Sequence, residues 1–88
     1  MELVINVSYG GFSLPQGFCE MYELDEYDDI ERDDVRLVEY VKEHDGVEVE
    51  YGDLEVVTLP QGCTDYYIDE YDGAETVIYV VDGKIHFA

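Results

Sequence analysis

Two Asp-Gly dipeptides, Asp72-Gly73 and Asp82-Gly83, interrupt apolar runs in the last third of this chain. Asp-Gly between alternating hydrophobic runs is the strongest short-range hairpin signal, because a two-residue loop matching the strand twist needs positive φ at both positions. The runs "DLEVVTL", "TDYYIDEY", "ETVIYVV" and "KIHFA" therefore read as an antiparallel meander. "ETVIYVV" is apolar on both faces and is expected to lie centrally, as is the preceding "DLEVVTL". "TDYYIDEY" is half polar, and "KIHFA" alternates so as to turn Ile85 and Phe87 inward.

The amino-terminal half has a different texture. "ELVINVS" alternates Leu3, Ile5 and Val7 as a first strand, broken by Gly10-Gly11. Ser13 and Gln16 have the spacing of a capping box with Pro15 in the first turn, and Leu14, Phe18, Met21 and Leu24 follow at helical spacing. Residues 25–33 read as a loop or frayed helix end. Asp33 or Asp34 then caps a second helix, "DVRLVEYVKEH", with a stripe of Leu37, Val38 and Val41. Asp45-Gly46 stops it, and Lys42 and His44 suit its carboxyl end. The order β-α-α-β-β-β-β predicts a small α+β domain over residues 1–88, with two helices packed on one face of a largely antiparallel sheet.

Charge constrains function more than fold. The chain carries 23 acids against 4 bases, a formal net charge of −19. Such a field repels phosphates and anionic lipid and attracts cationic surfaces at salt-sensitive rates. Four bases (Arg32, Arg36, Lys42 and Lys84) are too few for a phosphate-tracking patch, so direct nucleic-acid binding is not expected. No apolar run approaches the ~18 residues of a membrane span, and the opening residues lack the pattern of a signal peptide, so a cytoplasmic protein is expected. Cys19 and Cys63 form no C-x-x-C pair, and two reduced, partly buried thiols are expected.

"SLPQGFCEMYELDEYDD" at 13–29 and "TLPQGCTDYYIDEYDG" at 58–73 share Leu-Pro-Gln-Gly followed by Asp-Glu-Tyr-Asp. The first copy continues with helical period and the second enters a hairpin, so the pattern is not a duplicated structural unit.

Metal and catalytic motifs are weak. "DEYDDIERDD" lacks the alternating ligands, mid-loop glycine and terminal glutamate of an EF-hand, and only weak cation binding is expected. Cys19 or Cys63 with His44 or His86 could formally make a thiol pair, but neighbouring acids would raise the thiol pKa and dull it. No cofactor and no enzymatic activity are expected. Nine tyrosines without tryptophan are more informative. They serve either to cover a thin core or to supply interface area at low entropy cost. Acids interleaved with tyrosine suit an Arg/Lys-rich groove through charge-assisted hydrogen bonds and cation–π contacts. Carboxylates along a helix and loop also recur at spacings comparable to phosphates, so a groove built for nucleic acid would accept them.

The opening "INVSYGGFSL", the central "DLEVVTLPQG" and the hairpin "IDEYDGAETV" together resemble a group of small phage and prophage proteins of unknown function. Those similarly open with a strand and a Y/F-G-G-F turn and close with an "EYDG" hairpin. This chain departs from that pattern in the acidity of residues 20–34 and in the last strand "KIHFA". The resemblance implies a phage origin, and with it an inhibitor of host defence such as an anti-CRISPR or anti-restriction protein.

The sequence reading is thus a non-enzymatic protein that binds the basic nucleic-acid groove of a host nuclease or defence complex. Glu20, Glu23, Asp25, Glu26, Asp28, Asp29, Glu31, Asp33 and Asp34 would form the binding face, extended by Asp65, Asp69, Glu70 and Asp72. Tyr27, Tyr67 and Tyr71 would be its aromatic anchors. The alternatives are an immunity- or antitoxin-type protein that neutralises a basic toxin, and a small acidic domain with weak cation binding.

Overall fold

The computed structural model describes all residues, 1–88. The chain runs β1 (Glu2–Asn6), α1 (Gln16–Tyr22), α2 (Val35–Glu43), β2 (Val47–Val49), β3 (Gly52–Thr58), β4 (Cys63–Tyr71), β5 (Ala74–Val81) and β6 (Lys84–Phe87). It is a small α+β domain in which every strand pair is antiparallel. Its strands divide into two three-stranded sheets, ordered β1-β3-β2 and β4-β5-β6, in place of the single sheet expected. The meander is limited to β4-β5-β6, and β3 pairs with β1 and β2 rather than with β4. The division follows from β3, whose edges are both taken by β1 and by the short strand β2, a strand not foreseen from the sequence. After Thr58 the chain finds no free partner there, Pro60 lacks an N–H, and a second sheet begins.

The layers are helices, first sheet, second sheet. Both helices pack on one face of the first sheet, where Leu14, Phe18, Leu37, Val38 and Val41 bury Val4 and Leu54. On the other face Leu3 and Ile5 meet Val77, with Leu59, Tyr66, Ile68 and Tyr79 around them. β1 is therefore buried on both faces, and the expected Leu3, Ile5, Val7 stripe ends early because Val7 is exposed. As an edge strand β1 would leave donors open. They are covered by side attachments: the Val4 amide donates to Arg32 O at 2.9 Å and the Asn6 amide to Glu75 Oε1 at 2.7 Å.

Helix α2 forms as its sequence suggests. Asp34 is its N-cap, accepting from the Arg36 amide at 2.9 Å, and Leu37, Val38 and Val41 are its buried stripe. Asp45 and Gly46 follow with φ of 52° and 93°, and the Gly46 amide donates to Val41 O. Helix α1 differs from expectation. Pro15 is its N-cap without a side-chain bond, and the buried Ser13 Oγ has no hydrogen-bond partner, so no capping box forms. The residue before a proline is held extended, and the Leu14 amide is drawn instead to Glu26 O at 2.8 Å, which leaves Ser13 away from the helix end. The helix stops at Tyr22 with Glu23 left-handed at φ 55°, so Leu24 packs from beyond the helix; Met21, within the helix, is exposed.

Both Asp-Gly turns form with all four residues at positive φ, between 52° and 89°. β5 is central in its sheet, as its two apolar faces required. The "LPQG" copies are confirmed as unlike: Leu14 and Leu59 are both buried, but one leads into α1 and the other into β4.

Candidate functional site

Residues 20–34, the end of α1 and the segment joining it to α2, form one acidic ribbon, in which 25–33 is the expected loop rather than a frayed helix end. Leu24 and Ile30 dip onto the helical core while the intervening acids stay outside. The backbone is held by Leu14 N to Glu26 O, and locally by Asp25 N to Asp28 Oδ2 at 2.8 Å and Asp28 N to Asp25 O at 3.0 Å. The far end is clamped by Arg32, whose guanidinium lies 3.5 Å over the Phe12 ring and bonds Glu75 with both nitrogens. Glu20, Glu23, Asp25, Glu26, Tyr27, Asp28, Asp29, Glu31 and Asp33 are exposed. Asp34 is half-buried, and its hydrogen bond to the Arg36 side chain holds its carboxyl below the usual carboxylate range.

The chain supplies almost no cations to this surface. Arg32 pairs with Glu75, Arg36 with Asp34 and Lys42 with Glu2, and Lys84 alone has no ion pair. Three of the 23 acids are thereby matched, leaving twenty side-chain carboxylates without a basic partner.

The second set of acids is split by the sheet. Glu70 lies on the inner-facing parity of β4, in register with Glu75, and accepts the Gly73 amide. Asp72 is at the hairpin tip, where its carbonyl receives the Gly10 amide, and Gly11 donates to Tyr51 O; the Tyr51 phenol is raised by its hydrogen bond to Glu50 and less by the charges of Tyr27 and Glu26. Asp65, Tyr67, Asp69 and Tyr71 instead occupy the outer face of the second sheet, opposite to the Tyr66 and Ile68 side chains that pack inward. Tyr27 belongs to the ribbon, and Tyr67 and Tyr71 do not.

The last strand requires a correction. Ile85 and Phe87 are not inward; they are 64% and 71% exposed. The two-residue turn sets Val80 opposite Ile85 and Ile78 opposite Phe87, on the parity opposite to the buried Val77. His86 takes the other side and stacks on Tyr79 at 5.3 Å. This outer row of Tyr67, Ile78 and Phe87 was missed from the sequence: Asp82-Gly83 fixes which residues share a face, but not which face is outside.

No group of three or more His, Cys, Asp or Glu is arranged to hold a metal ion. Both cysteines are free thiols. Burial raises the Cys19 pKa, and Glu26, Asp28 and Asp25 raise it further. Tyr66 is raised by burial and then by Asp33 and Glu31. A group whose folded pKa lies above its unfolded value stabilises the fold fully below the unfolded pKa and loses that contribution as pH rises through the folded one. Stability should thus fall from about pH 9 upward, where an unfolded thiol ionises. Cys19→Ala should decline less steeply than wild type in urea midpoints taken between pH 7 and 10.5; an equal decline would remove Cys19 from the account.

No helix is long and apolar enough to cross a membrane. No protein-family model, curated protein or solved structure matches the chain.

Proposed function

We propose that this is a non-enzymatic binding protein that occupies the basic nucleic-acid groove of another protein with the Glu20–Asp34 ribbon. The supporting observation is that the ribbon's carboxylates are displayed in a held conformation with almost no cations of their own. An anion array that is already ordered loses little conformational entropy on docking, so its attraction to a basic groove is kept. Tyr27, exposed between Glu26 and Asp28, offers a ring for an arginine. The resemblance to small phage proteins favours a host nuclease or defence complex as the partner, and an anti-CRISPR or anti-restriction role.

The test is a low-salt pull-down from bacterial lysate with the tagged protein, followed by competition of the captured protein against labelled DNA and RNA. Capture of a nucleic-acid-binding protein is expected, with competition that weakens at least tenfold between about 50 and 200 mM salt, as multiple charge contacts require. Joint reversal of Asp25, Glu26, Asp28 and Asp29 to lysine should abolish the competition. Undiminished competition by that variant would remove the ribbon as the binding face. Capture of a toxin that binds no nucleic acid would favour the antitoxin reading.

A further inference from the structure

The outer face of the second sheet is an apolar surface with one acidic margin. Ile78 and Val80 on β5 share the outer parity with Ile85 and Phe87 on β6; Ile78 is buried at 8% exposure and Val80 half-buried, while nothing in the chain covers Ile85 and Phe87. Along β4 the same face presents Tyr67 and Tyr71, 58% and 77% exposed, alternating with Asp65 and Asp69. Lys84 and His86 take the opposite parity on β6, so no basic side chain stands on this face. Large aromatic and branched side chains gathered on one exposed face mark an interaction site rather than a solvated surface.

From this we infer that the outer face of β4-β5-β6 docks a basic amphipathic helix of a partner protein, a surface separate from the Glu20–Asp34 ribbon and independent of its reading. Width supports one helix. Strands lie about 4.8 Å apart, so β4 and β6 are separated by about 10 Å, the breadth of a helix with its side chains. Charge supports a basic one. Asp65 and Asp69 are four residues apart on the strand, about 13 Å, within reach of lysines or arginines two turns apart on a helix, about 11 Å. The helix would lay its apolar stripe over Ile85, Phe87 and Val80 and its cationic flank along β4, with Tyr67 and Tyr71 able to receive cations on their rings. A second copy of this chain fits less well: each carries −19, and its surface has only Lys84 unpaired to offer the opposing aspartates. Anionic lipid and nucleic acid are opposed by the same charge.

The probe is an 18-residue Leu/Lys peptide with leucines on one helical stripe, measured against the full chain by fluorescence anisotropy and backbone amide chemical shifts. Its controls are a scrambled peptide without the stripe and a Leu/Glu peptide with it. Binding of the striped cationic peptide is expected, at least tenfold tighter than either control, with shifts concentrated in residues 63–71, 74–81 and 84–87. The double change Ile85→Asp and Phe87→Asp should weaken it tenfold or more; Tyr71→Lys makes the same comparison if the β6 changes unfold the hairpin. Lysine reversal of Asp25, Glu26, Asp28 and Asp29 should weaken it less than threefold, which separates this face from the ribbon. Equal binding of the scrambled peptide, shifts confined to residues 20–34, or unchanged affinity of both sheet variants would overturn the inference. So would a wild-type dimer in sedimentation that Phe87→Asp dissolves, since a second copy would then be the occupant.

Discussion

Arg32→Met is expected to destabilise the fold by about 3 kcal/mol, the low end for removing one member of a buried ion pair. Arg32 meets Glu75 through two parallel bonds of 2.6 and 2.9 Å, and its guanidinium also reaches Val4 O at 3.3 Å and covers Phe12. The Glu75 side chain is only 8% exposed, against 24% for Arg32, so losing the arginine strands a carboxylate that water can hardly reach. The remaining partner would be the Asn6 amide. For a domain of this size about 3 kcal/mol corresponds to a fall in Tm of about 12 °C or more. The double change Arg32→Met with Glu75→Gln should regain at least half of the loss, because a neutral amide can still accept from Asn6 without burying a charge. Thermal unfolding of the two variants decides the matter: a double variant as unstable as the single one would mean that packing on Phe12, not the stranded charge, is the cost. Arg32 is the sole base in residues 20–34, yet it serves the junction between the sheets and the ribbon rather than the ribbon's surface charge.

Asn6→Ala should be comparably severe. Asn6 is fully buried where β1, the β4-β5 turn and the start of β3 converge. Its Nδ2 donates to Ser8 O and Gly73 O, both at 2.8 Å, and its Oδ1 accepts from the Asp53 amide at 2.9 Å. Truncation orphans the Gly73 carbonyl and the Asp53 amide, each costing about 1–3 kcal/mol when buried. A loss of about 3 kcal/mol is expected in urea unfolding, with faster amide exchange at Asp53 as the local signature. The neighbouring glycines share the crowding. A Cβ on Gly52 would overlap Asn6 Oδ1, and one on Gly73 would overlap the Gly10 backbone. If Asn6→Ala cost under about 1 kcal/mol, the typical net worth of one hydrogen bond, the hub would be a peripheral contact.

Elements whose information is local were legible from the residues. Helix α2 is one, since Asp34, the Leu37, Val38, Val41 stripe and Asp45-Gly46 lie within one short stretch, 34–46, and agree with one another. The hairpin turns and the central place of β3 and β5 are others. The exposure of the acids in residues 20–34 was legible too, because buried unpaired carboxylates are prohibitive. What failed depended on partners distant in the chain. Ser13 does not cap because Glu26 holds the adjoining amide. The helix ends at Tyr22, two residues short of Leu24, and Met21 is exposed although it lies within the helix. The order of the ribbon was hidden because its clamp, Arg32 with Glu75, spans 43 residues.

The sequence alone determined a very acidic α+β chain, its hairpin registers and the faces of α2, since each follows from charge count, turn chemistry or period within a short stretch. Only the tertiary structure decided which side of β5 is inside. Both faces of that strand are apolar, so its parity stays ambiguous until Leu3 and Ile5 of β1 bury Val77. That one contact turns Ile78 and Val80 outward, carries Ile85 and Phe87 with them through the registered hairpin, and separates Tyr67 and Tyr71 from the ribbon that their acidic neighbours resemble.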